Sequence, residues 1–291
     1  MLNYTKTNIQ ELKSQIFEQF DVIVFVKRED QNHPFVSGNK WWKLKYNLQE
    51  AVRLKHDTLL TFGGAYSNHI YATAAAGKEL GLKTIGIIRG EESLPLNGTL
   101  SFAKSCGMHL HYISREAYRQ KKETEFIQSL HDQFGEFYLI PEGGTNELAV
   151  KGCTEFAIQL NNEIDFDYLC LPIGTGGTIA GIIEGLDFSK KIIGFSALKG
   201  GAFLVNEVSQ RLSTPKDNWA IQVDYHFGGY AKTTIELKNF IADVKTKHQL
   251  PLDEIYTAKM LWGVFDLVKK NYFKKHSTIL ALHTGGLQNR L

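Results

Sequence analysis

Short apolar runs alternate with longer amphipathic stretches along nearly the whole chain, a rhythm that predicts strands alternating with helices. Asp21 to Val26 reads as a strand, and Thr58 to Phe62 and Lys83 to Ile88 as buried ones. Helical spacing occupies Lys43 to Lys55 and Asn68 to Leu80. A helix near Leu100 to Cys106, a strand His109 to Ile113, one long helix Arg115 to Phe134 and a strand Phe137 to Ile140 follow. Beyond Gly143-Gly144 the scheme repeats with a strand Tyr168 to Pro172, a helix from Thr178, a strand Lys191 to Ala197, a helix Phe203 to Leu212 and a strand Trp219 to Tyr225. Helices Ile235 to Lys247 and Ala258 to Lys275 and a strand Thr278 to His283 close the series, while the first residues, MLNYTKTNIQELKSQIF, are polar with a helical pattern. Repeated strand-helix-strand units imply parallel sheets covered by helices, because parallel neighbours need a long crossover. The expected class is α/β: two open, mostly parallel twisted sheets flanked by helices, with a cleft between them.

Glycine-rich turns fall where the predicted strands end. Ser37-Gly38-Asn39-Lys40 puts a lysine on a bend ahead of a helix, where its amine can face a cleft, with Lys43 one turn further on. A buried or cation-flanked lysine loses proton affinity, and its free amine can form a Schiff base with an aldehyde cofactor. Gly63-Gly64-Ala65-Tyr66-Ser67-Asn68-His69 joins a strand to a helix with Ser67 at the N-cap position, which suits a carboxylate; a plain cap is the alternative. Gly174-Thr175-Gly176-Gly177-Thr178 follows the apolar run LCLPI and lets backbone N–H groups converge on a phosphate. That loop also resembles a dinucleotide fingerprint, although Asp187 precedes the next strand instead of ending it. A nucleotide-binding, Rossmann-type oxidoreductase therefore stands as a second reading. Tyr256-Thr257, opening a helix, Tyr230 in a glycine loop, and His283-Thr284-Gly285-Gly286 after the last strand are further candidates near a cleft.

Composition narrows the classes. With 291 residues, 43% hydrophobic, 22% charged and a net charge of +2, the chain has the profile of an ordinary soluble globular protein, large enough for one big domain or two smaller ones. Its basic residues are scattered, so no nucleic-acid partner is implied. Three cysteines, Cys106, Cys153 and Cys170, form no close pair, and the ten histidines show no metal-ligand spacing. With no long apolar segment and no leader pattern, a cytoplasmic protein that does not enter the membrane is expected.

Taken jointly and in order, these turns resemble the pyridoxal-phosphate enzymes of the tryptophan-synthase β type (fold type II), and within them the 1-aminocyclopropane-1-carboxylate (ACC) deaminase and D-cysteine desulfhydrase group. The resemblance runs from about Val24 to Leu287 and is carried by Ser37-Gly38-Asn39-Lys40, Gly64-Ala65-Tyr66-Ser67-Asn68-His69, and the Tyr256 and His283 segments. It implies a large domain of residues 1–43 and 144–291, a small one of 44–143 inserted in it, pyridoxal 5'-phosphate in the cleft between them, and a homodimer. Lys40 would hold the cofactor covalently and remove the substrate's α-proton. Asn68 would lie beside the ring hydroxyl, Ser67 and His69 would grip the substrate carboxylate, and Gly174, Thr175, Gly176, Gly177 and Thr178 with Lys43 would take the phosphate. Tyr230 and Tyr256 would face a small amino-acid substrate, and Thr257 and Thr284 the pyridine nitrogen.

ACC deaminases of this group carry a glutamate where Thr257 stands and a leucine where Thr284 stands. A neutral hydroxyl cannot hold the ring nitrogen protonated as a carboxylate can, so β-elimination from D-cysteine is expected ahead of cyclopropane opening. A cofactor-binding protein without turnover is a more distant alternative. Trp41-Trp42 replaces a small residue and an arginine, so two indoles are expected to reshape the pocket or cover its phosphate side. His69 stands where a glutamine or another histidine is usual, which makes a pH-dependent carboxylate grip an expectation.

Overall fold

The computed structural model describes residues 1–290. Its strands, in chain order, are β1 (Ile9–Glu11), β2 (Val22–Lys27), β3 (Thr58–Gly63), β4 (Lys83–Arg89), β5 (His109–Ile113), β6 (Tyr138–Ile140), β7 (Tyr168–Ile173), β8 (Lys191–Ser196), β9 (Trp219–Gln222) and β10 (Ser277–Leu282). Its helices are α1 (Gln15–Gln19), α2 (Asn39–Arg53), α3 (Asn68–Leu80), α4 (Gly98–Ser105), α5 (Thr124–Phe134), α6 (Glu147–Glu163), α7 (Gly177–Gly185), α8 (Leu204–Ser209), α9 (Ile235–His248) and α10 (Thr257–Lys269). One sheet runs β1-β2-β10-β7-β8-β9, and a second runs β5-β4-β3-β6. All pairings are parallel except β1 against β2. Every residue of β3 and of β7 is buried, as continuous apolar runs in helix-covered parallel sheets should be. The first sheet therefore draws on both ends of the chain and the second on its middle, and the Gly-rich strand ends of the two meet at one cavity.

The sequence pattern omitted α6 although it is 17 residues long. Its buried face is Ala149, Gly152, Cys153, Phe156, Ala157 and Leu160, mostly small side chains with a weak apolar signal. Their smallness is what the packing needs. A Cβ on Gly152 would lie 2.0 Å from the Trp42 carbonyl oxygen of α2, and one on Gly181 of α7 would meet Cys153 Cβ at 2.4 Å, so α2, α6 and α7 touch nearly backbone to backbone.

Other boundaries moved for local reasons. The N-terminal segment forms β1 and the five-residue α1 in place of one helix, because Ile9–Glu11 pairs antiparallel with the edge of β2. The expected helix 115–134 is a 3-10 turn, Ala117–Gln120, and then α5; the break lets buried Tyr118 donate its hydroxyl to Glu142 Oε1 at 2.8 Å. The helix expected over 203–212 is confined to α8 after a 3-10 turn, Gly201–Phe203. Helix α10 ends at Lys269, where Asn271 takes a left-handed φ of 53°, and does not reach Lys275.

A buried carboxylate ties the lysine turn to the N-terminal segment. Glu29, 1% exposed, accepts hydrogen bonds from the Thr7 hydroxyl (2.6 Å), Trp42 Nε1 (2.8 Å), Asn32 Nδ2 (2.9 Å) and the Tyr4 hydroxyl (3.1 Å), with Lys27 Nζ 4.0 Å away. Burial, with that carboxylate alongside, pushes the Tyr4 hydroxyl pKa far up, so Tyr4 stays a donor. The Glu29 carbonyl also accepts from Gly38 N at 2.9 Å, and Asn32 bonds Gly38 through both amide atoms. Trp41 Nε1 donates to the Asn3 carbonyl at 2.9 Å. The expectation that the two indoles would reshape the pocket is thereby corrected: both are buried against Tyr4 and Phe156, and neither lines the cavity. Replacing Glu29 with Ala strands four donors in the interior, and we expect it to lower unfolding free energy by about 3 kcal/mol or more, read by urea denaturation.

Candidate active site

Lys40 lies in the first turn of α2, directly after a backbone shape that only glycine adopts easily. Gly38 has φ 68° and ψ −143°, and a Cβ there would sit 1.9 Å from the Thr284 carbonyl oxygen. The turn at the end of β10 is thus pressed onto the turn that carries the lysine. Lys40 Nζ donates to Asn39 Oδ1 at 3.0 Å, and Asn39 Nδ2 donates to Thr178 Oγ1 at 2.8 Å, which connects the amine to α7. Desolvation lowers the Lys40 pKa to about 8, with Cys153 and Asp253 acting weakly the other way. At pH 7 about a tenth of such amines are neutral, against roughly three in ten thousand for an ordinary lysine.

The cavity around this amine has a volume of about 710 Å³. Of the residues expected from the sequence, Lys40, Lys43, Ser67, Asn68, His69, Gly174, Thr175, Gly176, Thr178, Tyr230, Tyr256 and Thr284 line it; Gly177 and Thr257 do not. At one end, β7 runs into the loop Gly174–Gly177. Gly176 takes φ 82° as the N-cap of α7 and no side chain caps that helix, so its first backbone N–H groups are free for an anion. Lys43, 2% exposed, donates to Thr145 Oγ1 at 2.7 Å and reaches Thr175 Oγ1 at 3.4 Å; the two hydroxyls are 2.5 Å apart. Burial and the neighbouring Lys40 hold the Lys43 pKa well below the usual lysine range. A Cβ on Gly177 would lie 3.2 Å from the Lys43 amine, which explains the glycine behind this cradle.

At the other end, Ser67 caps α3 by accepting from the amides of His69 and Ile70, both at 3.3 Å. Asn68 Oδ1 accepts from Gln288 Nε2, and its Nδ2 lies close under Gly286, where a Cβ would stand 2.7 Å from it. His69 departs from the expected carboxylate grip. Thr61 gives its proton to the Ile140 carbonyl at 2.7 Å, so at 2.8 Å it receives one from His69 Nε2. Nδ1 is then a bare acceptor, buried without a partner among the described residues, and desolvation beside Lys40 and Lys43 drives the ring pKa well below its ordinary value. A neutral ring presenting a lone pair repels a carboxylate and accepts from a donor, so a pH-dependent grip through this ring does not fit the geometry.

Tyr230 and Tyr256 face each other edge-on with ring centroids 6.2 Å apart. Burial raises both phenol pKa values, that of Tyr256 the more, and a Cβ on Gly174 would touch the Tyr256 hydroxyl at 3.2 Å. Thr257 is buried with its hydroxyl spent on Asp253, donating to Oδ2 at 2.6 Å and accepting from the Asp253 amide at 2.9 Å. Asp253 caps the start of α10, accepting from the amides of Ile255, Tyr256 and Thr257. Thr284, by contrast, does reach the cavity.

Several residues of the site were absent from the sequence reading. Asn39 was read within the lysine turn but given no role of its own; Thr145, beside expected residues, follows Gly143-Gly144 ahead of a helix, a signal of the same kind as the turns that were read. Arg89, Lys121, Lys122, Glu142 and Arg211 also line the cavity but carry no local motif. Lys121 pairs with Glu142 at 3.5 Å, and Arg211 pairs with Glu207 at 2.9 Å.

The residues fit pyridoxal phosphate. An uncapped helix start and a buried lysine suit the phosphate, and an amine with depressed proton affinity suits the aldehyde. Two parallel-rich sheets flanked by helices, with this lysine and this glycine loop at their meeting strand ends, define a fold type II pyridoxal-phosphate enzyme. The chain belongs to the family described as pyridoxal-phosphate dependent enzymes, whose family model matches residues 1–285. It is 33% identical over 282 residues (91% of this chain, 84% of the relative) to a Pyrococcus furiosus protein provisionally named a 1-aminocyclopropane-1-carboxylate deaminase. It is also 30% identical over 289 residues (91% of this chain, 72% of the relative) to an Arabidopsis thaliana protein named bifunctional D-cysteine desulfhydrase/1-aminocyclopropane-1-carboxylate deaminase, mitochondrial. A crystal structure titled as an ACC deaminase homologue superposes with a TM-score of 0.84 at 29% identity, covering 100% of this chain and 92% of that one. No helix among the described residues is long and apolar enough to cross a membrane.

The Lys40 amine must lose its proton before it can attack an aldehyde. Uptake of pyridoxal phosphate by protein stripped of cofactor is therefore expected to rise tenfold per pH unit below about 8 and to level off above it, followed by stopped-flow absorbance. The same depression makes the folded state bind fewer protons than the unfolded one between pH 8 and the ordinary lysine range, so Lys40 contributes stability that increases with pH across that window.

Proposed function

We propose that this enzyme is a lyase that eliminates the β-substituent of a small amino acid, D-cysteine being the substrate, to give pyruvate, ammonia and sulfide. The observation that carries the reading is the convergence, in one cavity, of a proton-poor lysine, an anion cradle and two phenols held protonated. When bound, pyridoxal phosphate supplies the electron sink that stabilises negative charge at the substrate's α-carbon. Lys43, Thr145, Thr175 and the first amides of α7 would hold its phosphate, and Lys40 would provide the attachment point and take the α-proton. At the positive end of α3, the hydroxyl of Ser67 and the side-chain amide of Asn68 would bind the substrate carboxylate as neutral donors. The half-buried phenols of Tyr230 and Tyr256 remain donors at neutral pH and can protonate a departing sulfur. The neutral hydroxyl of Thr284 and the absence of a glutamate at Thr257 support elimination over cyclopropane opening. ACC deamination is the second reading, favoured by the Arabidopsis relative's name, which joins both activities.

The strand content of the two sheets supports a division into a large unit of residues 1–43 and 144–291 and a small one of 44–143. We propose, on the family resemblance, that the enzyme works as a cytoplasmic homodimer.

The visible spectrum of the purified protein, before and after D-cysteine, tests the activity. A yellow chromophore lost in Lys40→Ala, with sulfide and pyruvate released by the wild type and turnover lower by about 10³-fold or more in the variant, is the expected result. Release of 2-oxobutyrate from ACC without sulfide from D-cysteine would transfer the assignment to the second reading. A chromophore with neither product would mark a cofactor-binding protein without turnover. Protein that stays colourless with added pyridoxal phosphate overturns the scheme and leaves the nucleotide reading.

A further inference from the structure

Lys259 is an ammonium group that the chemistry above does not use and that the interior would not hold without reason. It lies in the first turn of α10, three residues after Tyr256, and is 1% exposed. Among the described residues no carboxylate forms an ion pair with it, and desolvation lowers its pKa to about 8. Its hydrogen bonds go to two main-chain carbonyls, His226 O at 2.9 Å and Gly229 O at 2.8 Å.

Those carbonyls are the starts of two successive turns. Gly229 N donates to His226 O at 3.0 Å, and Lys232 N donates to Gly229 O at 3.1 Å. The second acceptor site of each oxygen is filled by Lys259, so one ammonium holds both turns. Their backbone is costly: Phe227 (φ 50°), Gly228 (92°), Gly229 (115°) and Ala231 (54°) all take positive φ. Residue 230 at the crest is the tyrosine whose ring enters the cavity opposite Tyr256. Other contacts also hold this loop, among them a hydrogen bond between the Tyr230 and Tyr256 side chains. Phe227 packs edge-on against Trp262 at 5.2 Å, and Gly228 N donates to His226 Nδ1 at 3.0 Å.

We propose that Lys259 is a positioning residue for Tyr230. Its ammonium binds the carbonyls of His226 and Gly229 and so sets the distance between the Tyr230 and Tyr256 hydroxyls from one helix, since α10 begins at the second tyrosine and carries the clamp for the first. The inference rests on the reading of Tyr230 as a substrate-facing donor, and its test separates the two.

Lys259→Met keeps most of the volume and removes the donors. In the holoenzyme it is expected to lower kcat about tenfold to hundredfold with KM for D-cysteine nearly unchanged, while the visible band of the bound cofactor stays in place. Amide hydrogen exchange is expected to speed up at 227–232 and nowhere else. Lys259→Ala supplemented with ethylammonium is expected to regain part of kcat, because the small cation can occupy the carbonyl pair. In a Tyr230→Phe background, Lys259→Met is expected to add little further loss, since residues acting through one group are not additive. Full additivity of the two changes, or loop amides that exchange as in the wild type, overturns the proposal. If Tyr230→Phe alone leaves kcat unchanged while the loop amides still loosen in Lys259→Met, the clamp stands and the catalytic reading of Tyr230 falls.

Discussion

The site depends on one close approach: the backbone of Gly38 against the carbonyl of Thr284. That contact fits no side chain, so the lysine turn and the final glycine turn are locked together by main chain alone. Everything behind it serves to hold Gly38 in place. Asn32 bonds it on both sides, the Glu29 carbonyl takes its amide, and the Glu29 side chain collects donors from Tyr4, Thr7 and Trp42. A carboxylate this deeply buried is tolerable because its oxygens are fully engaged and Lys27 lies nearby. The reactive amine is therefore positioned by a polar network that never touches the cavity, and its environment can be dry without the turn that carries it being loose.

Dryness explains the electrostatics as a set. Half-buried Lys40, buried Lys43 and buried His69 share the cavity wall, and each is pushed toward its neutral form. Burial acts in the opposite direction on the tyrosines, which are kept protonated. One physical cause thus yields a nucleophile and proton donors at the same pH, with no acid or base of unusual kind. The helix starts of α3 and α7 then offer partial positive charge to anions where full cations would be expensive.

Much of this was legible in the sequence, for a definite reason. Turns at the ends of parallel strands need glycine for their backbone shape, and helix starts need Ser or Asn, so the cavity's surroundings announce themselves locally at Gly38, Ser67 and Gly176. Two kinds of feature were not legible. Helix α6 hides because its inner face is alanine, glycine and cysteine, chosen for closeness to α2 and α7 at the expense of apolar signal. Residues that act by direction escaped too: the indoles of Trp41 and Trp42 turn away from the pocket toward Asn3 and Glu29, and the hydroxyl of Thr257 is taken by Asp253. A spacing rule says which residues are near a bend, and only coordinates say which way each side chain leaves it. His69 is the sharpest case, since its tautomer follows from the proton that Thr61 gives to Ile140.

The strand order carries a consequence for how the protein is made. Strand β2, which leads into the lysine turn, is flanked by β1 and by β10, the last strand of the chain, and Gly38 is completed only by Thr284. During synthesis the inner edge of β2 must wait, unpaired, until β10 has left the ribosome. Lys40 is translated well before β10 and is set only once β10 is in place. A chain without β10 has a lysine turn with nothing to close against, so the site and the sheet are completed by the same strand.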